Sequence, residues 1–81
     1  MKEPTTDESV LKRIEQLVAD EHRLYERGSL DEGDRAHLHK VKVELDQCWD
    51  LLRQRQALRD AGRDPGQAGV RPPEIVENYE Q

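Results

Sequence analysis

The sequence predicts an all-α fold, an antiparallel two-helix hairpin with a short C-terminal helix or tail. Three observations predict it. Apolar residues recur at helical spacing through two long stretches, each stretch stops at a glycine, and only a few turn-type residues separate them. The predicted units are an N-terminal segment 1–5 that frays, a hairpin over 6–62, and a linker and tail over 63–81.

Helix 1 is expected over about 6–27. Thr5 followed three residues later by Glu8 fits a capping box, with Asp7 and Glu8 suited to the positive helix end. With Ile14 as origin and about 100° per residue, Val10, Leu11, Leu17, Val18, Leu24 and Tyr25 all fall within about 80° of it. Glu21 is the one residue that interrupts this stripe, and an inner carboxylate needs a partner or water. Gly28 is the expected stop. Ser29 with Glu32 reads as a second capping box, so the connection is short and the helices are antiparallel neighbours.

Helix 2 is expected over about 30–61, ending before Gly62. Its stripe comprises Leu38, Val41, Leu45, Cys48, Trp49 and Leu52. Pairing outward from the turn sets Ile14 near Leu45, and Val10 and Leu11 near Cys48 and Trp49. At 1.5 Å per residue the helices are roughly 30 and 48 Å long, so helix 2 overhangs its partner from about Arg53. There a second line turns apolar, Leu51 with Leu58, and something must cover it. Arg63 to Gly69 is a turn-rich linker. Pro72 and Pro73 then open a short helix, 73–79, with Ile75, Val76 and Tyr79 on one side. Either this segment folds back on the Leu51–Leu58 line or a second chain covers it.

The chain resembles a small family of actinobacterial proteins classified only as a domain of unknown function. Val43-Glu-Leu-Asp-Gln-Cys-Trp-Asp-Leu-Leu-Arg-Gln-Arg55 and Ala57-Leu-Arg59 carry the resemblance, with Val70-Arg-Pro72 and Val76-Glu-Asn-Tyr79 in the tail. It extends from about Val10 onward. The resemblance implies a helical hairpin and an actinobacterial cytoplasm. It implies no activity, and no functional residue is carried over.

Composition narrows the function. Of 81 residues, 38% are charged, and the formal net charge is −5, which argues against general binding to nucleic acid or anionic membranes. One Cys allows no internal disulfide and suits a reducing cytoplasm. Met1-Lys-Glu-Pro-Thr-Thr-Asp-Glu8 lacks the apolar core of a secretory leader, and no apolar run approaches the roughly 20 residues that span a bilayer.

Catalytic and metal-binding templates fail one by one. His37 and His39 point to opposite sides of a helix, and the i,i+4 pair of a helical zinc site is missing. His22, His37, Glu21 and Asp34 could gather near the turn, but an ion pair between Glu21 and His37 or a nearby basic side chain is the plainer reading. Cys48 sits between Asp46 and Asp50, which favour the protonated thiol of an inert core residue over a nucleophile. Asp46, Asp50 and Arg53 read as a surface ladder, and two helices enclose no small-molecule pocket. Asp31-Glu-Gly-Asp34 lacks the ligand spacing of a calcium loop. There is no glycine-rich phosphate loop and no Ser–His–Asp order. No enzyme, cofactor or metal is expected.

A chain this short buries a low fraction of its surface and gains from a partner. The expected role is therefore a helical interaction or self-association module, pairing with itself or another protein. The expected surface is Trp49, Leu51, Arg55, Leu58, Arg59, Ile75 and Tyr79, with Trp49 favoured slightly as core. In a homodimer the acidic half of helix 2, Asp31 to Asp50, would lie beside the basic end, Arg53 to Arg59, of its mate. The alternative is a nucleic-acid-associated regulator using Arg53, Arg55, Arg59 and Arg63. That reading lacks interleaved aromatics for base stacking, and cations there also offset the helix dipole.

Overall fold

The computed structural model describes residues 6–77, and the expectations for residues 1–5 and for Tyr79 lie outside them. The chain forms α1 (Asp7–Glu26), α2 (Glu32–Asp60), a 3-10 turn (Pro65–Gln67) and α3 (Pro73–Glu77). It is the all-α hairpin that the periodicity predicts, with a third layer added by the tail.

Both helix starts are capped, one or two residues beyond the expected positions. Thr6 Oγ1 accepts from the Ser9 N–H at 3.0 Å, and the Thr6 N–H donates to Ser9 Oγ at 3.0 Å. The box therefore sits on Thr6 and Ser9 in place of Thr5 and Glu8. At α2, Asp31 and Asp34 replace Ser29 and Glu32. Asp31 Oδ1 accepts from the Asp34 N–H at 2.7 Å, and Asp34 Oδ2 from the Asp31 N–H at 3.3 Å. Asp caps a helix as well as Ser does, and its charge suits the positive helix end. Asp34 has a second use, accepting from Arg27 Nη1 at 2.6 Å and so tying the helices across the turn.

Both expected stops are observed. Gly28 and Gly62 have φ of +78° and +72°, the left-handed conformation that favours glycine. At Gly62 the Arg63 N–H reaches Leu58 O at 2.7 Å and the Gly62 N–H reaches Arg59 O at 3.0 Å, the double bond of a Schellman ending.

Between α1 and α2, Val10, Ile14 and Leu51 form a buried cluster, flanked by Leu45, Cys48, Leu52 and Ala68. Leu17, Leu24 and Val41 are also buried. The register is close to the expected one, with Leu45 and Cys48 packed against Val10 and Ile14 and with Leu51 added to their cluster. Asp7 reaches Arg55, Oδ1 to Nε at 2.6 Å, and Arg59, Oδ2 to Nη2 at 2.8 Å. The predicted overhang remains, since α2 has 29 residues to the 20 of α1, but Arg55 and Arg59 on it reach back to the start of α1.

The Leu51–Leu58 line is covered by the tail of the same chain, one of the two solutions the sequence left open. Leu51 and Val76 are 7% and 2% exposed, Leu58 is half-buried, and both the 3-10 turn and α3 lie against α2. Polar groups hold the extended stretch between them. Gln54 Nε2 donates to Gly69 O at 2.8 Å, and its Oε1 accepts from the Gly69 N–H at 3.3 Å. Gln47 Nε2 donates to Arg71 O at 3.0 Å. Asp50 lies between them, one turn from each, accepting from Gln54 Nε2 at 2.8 Å and pairing with Arg71 Nε at 3.4 Å. Asp50 is only 3% exposed, so the expected surface ladder of Asp46, Asp50 and Arg53 is wrong at its centre. The helical-wheel position pointed away from α1, and the tail occupies that side.

Candidate protein-interaction face

In an antiparallel pair, equal angles measured from the contact line fall on the same side of both helices. Arg13, Asp20, Val41, Glu44, Cys48 and Arg55 lie on one side, and interhelix ion pairs close it. Arg13 Nε meets Glu44 Oε2 at 2.6 Å, and His37 Nε2 lies 3.3 Å from Asp20 Oδ2. His37 therefore faces Asp20 rather than the expected Glu21, because one residue along α1 separates the inner stripe from this edge. Asp20 is also paired with Arg23, and His22 Nε2 is 3.7 Å from Glu26 Oε2 on its own helix. No group of three or more His, Cys, Asp or Glu converges as a metal site among the described residues.

The same side carries a groove of about 710 Å³, floored by Val10, Val43, Cys48 and Leu51 and walled by Val70 and Pro73. No pocket was expected from two helices, and here the tail supplies a third wall. Cys48 is half-buried in it. Burial, aided by Glu44 and opposed by Arg13, pushes its thiol above the ordinary 9.0, so the thiolate is scarce at neutral pH. We predict that iodoacetamide labels Cys48 in the native chain at least about tenfold more slowly than in guanidinium. Mass spectrometry checks it, and equal rates would contradict the burial.

The opposite side is open and apolar. Leu11, Val18 and Tyr25 recur every seven residues along α1 and are 45%, 48% and 53% exposed. Trp49 of α2 is 48% exposed, which corrects the leaning toward a core Trp. It sits about 40° off the contact line, on the same side as Leu11, Val18 and Tyr25 at about 20–60°. The Lys42 ammonium lies 5.8 Å from the Tyr25 ring centroid, a cation–π distance.

The charged edges of this open face differ. Exposed Glu8, Glu15 and Glu26 line its α1 edge, and exposed Arg35, Lys42 and Arg53 line its α2 edge, where half-buried Asp46 is the exception.

Of the interaction surface expected from sequence, Trp49 lies on this open face. Leu51 and Arg55 are buried at 7% exposure each, and Arg55 donates to Pro65 O at 3.3 Å as well as to Asp7. Leu58 is half-buried, Arg59 is drawn to Asp7, and Ile75 is 45% exposed on α3. The structure does not bring these residues together as one open surface. The seven-residue recurrence of Leu11, Val18 and Tyr25 was the signal that could have marked the other face. All three were counted into the inner stripe, although they occupy only its positive edge.

Three carboxylates make folding acid-sensitive. Arg55 and then Arg59 hold Asp7 below the ordinary 3.8. Arg23 and then His37 do the same for Asp20. Burial pushes Asp34 upward, but the Asp31 backbone N–H and Arg27 outweigh it and leave it lowered. A carboxyl lowered by folding stabilises the native state above its unfolded pKa, and that contribution fades as pH falls through the folded value. Thermal melts should therefore lose stability below about pH 3.8, and Asp7→Asn should flatten part of the loss. An acid limb identical in the variant would contradict the Asp7 assignment.

No helix among the described residues is long and apolar enough to cross a membrane. No solved structure matches the chain. It is 47% identical over 78 residues to the uncharacterized proteins Rv0898c of Mycobacterium tuberculosis (strain ATCC 25618 / H37Rv) and Mb0922c of Mycobacterium bovis. Each alignment covers 91% of this chain and 90% of the relative. Residues 6–81 match the model of the family described as "Protein of unknown function (DUF2630)", which spans both helices and the tail that walls the groove. The chain belongs to the DUF2630 family.

Proposed function

We propose that this chain is a non-enzymatic helical interaction module of the cytoplasm, binding protein through the face of Leu11, Val18, Tyr25 and Trp49. One observation carries the reading: the large apolar groups left exposed on the hairpin share one side, while ion pairs and the tail close the others. Contiguous exposed apolar groups rimmed by charge mark interaction sites, and Trp and Tyr are favoured at their centres. The half-buried, protonated thiol and the absence of a converging ligand set among the described residues supply no competing chemistry. The nucleic-acid reading loses ground because Arg55 and Arg59 are turned to Asp7.

A photocrosslinking amino acid placed at Trp49, and separately at the outward-facing Gln16, tests this in mycobacterial cells. Discrete protein adducts are expected at position 49 alone, and Val18→Asp should abolish them. Equal labelling at both positions, or adducts indifferent to Val18→Asp, would refute it.

A further inference from the structure

Resting on that reading, we infer that the occupant of the open face is a second copy of this chain, related by a two-fold axis parallel to the helices. Each α1 then lies antiparallel against its mate's α2, and the product is a four-helix bundle with the Leu11, Val18, Tyr25 and Trp49 side chains at its centre.

Three features of the face select this partner. The first is its repeat. Leu11, Val18 and Tyr25 on α1, and Arg35, Lys42 and Trp49 on α2, each recur every seven residues, the period that keeps a seam in register between helices packed at about 20°.

The second is charge. The acidic α1 edge and the basic α2 edge are complementary to each other, and a two-fold axis brings one against the other twice. In the register that pairs α1 with α2 inside the hairpin, Glu15 would face the mate's Lys42. An axis that set α1 against α1 would oppose the glutamates to one another. This arrangement also replaces the dimer expected from sequence, since Arg55 and Arg59 are turned to Asp7 of their own chain.

The third is area. A face about 30 Å long and two helices wide, about 20 Å, offers roughly 600 Å² per copy. The pair buries about 1,200 Å², the lower end of specific interfaces, where weak and transient association is found.

The test is sedimentation equilibrium of the full chain and of two surface variants, Glu15→Lys and Lys42→Glu. Both positions are exposed, and circular dichroism confirms that helicity is kept. Wild type should be dimeric at about 100 µM. Each variant alone should be monomeric, because its altered edge meets a like charge. Mixing the two should restore a dimer. One contact then joins the two substituted positions with their charges exchanged, and the other keeps the native Glu15–Lys42 pair. A wild type that stays monomeric, single variants that still dimerise, or a mixture that stays monomeric would overturn the inference. A monomeric wild type that still gives position-specific crosslinks at Trp49 would leave the interaction reading standing with a different partner. Loss of both results would remove both.

Discussion

Deleting residues 63–81 is expected to unfold most of the hairpin at 25 °C, although both long helices remain in the chain. The tail lies against α2 and pairs Arg71 with the buried Asp50, and Val76 is among the least exposed of the described residues. Removal breaks the two Gln54–Gly69 bonds, the Gln47–Arg71 bond and the Arg55–Pro65 bond. At about 1 kcal/mol each, these bonds alone contribute about 4 kcal/mol, before any apolar burial. A domain of this size has roughly 5 kcal/mol in total. Circular dichroism at low concentration should show helicity falling by at least about half, with no cooperative melt. A truncated chain that melts as the full chain does would mean that the tail is an ornament on a self-sufficient hairpin.

The second large effect is at the core. Ile14 is 5% exposed and sits with Val10 and Leu51 at the centre of the buried cluster. Ile14→Ala should cost about 2–4 kcal/mol through lost burial and the cavity left behind. In a domain this small that lowers the melting temperature by roughly 10–25 °C. Leu11→Ala, three residues earlier on the same helix, should cost no more than about 0.5 kcal/mol in the monomer, because Leu11 is 45% exposed. Melts at about 1 µM keep association from contributing. Equal losses at the two positions would show that the open face is part of the fold, and the interaction reading would fail with it.

The contrast between Ile14 and Leu11 also shows where reading the sequence stops. Periodicity placed both on one stripe, and a stripe wider than one partner can cover looks the same whether its edge is core or interface. Helix ends were legible at Gly28 and Gly62, because only a left-handed residue closes those turns. Helix starts were legible in kind but not in position. Thr5 and Thr6 cap equally well by composition, and Asp31 competes with Ser29.

The tail was harder to read. Gln47, Asp50 and Gln54 lie one turn apart and look like a solvated face, and only the adjacent Leu51 and Leu58 hinted that backbone would dock there. A polar side chain on a helix gives the same sequence signal whether it faces water or another segment's carbonyls. The groove around Cys48 follows from that docking and was invisible for the same reason. The open face has no chemistry of its own to announce it. Its evidence is exposure, a seven-residue repeat and two edges of opposite charge, which become visible together only once the other side is seen to be closed.

Trp49 reports on that face directly, because it is the chain's only tryptophan. Its fluorescence, with acrylamide as quencher, should be followed from about 0.1 to 100 µM protein, a range suited to weak association. The account predicts solvent-exposed emission and efficient quenching at the dilute end, then a blue shift and protection as concentration rises, with Lys42→Glu remaining exposed throughout. Emission that is protected at every concentration would return Trp49 to the core. Emission that stays exposed at every concentration would leave the face without a second copy to cover it.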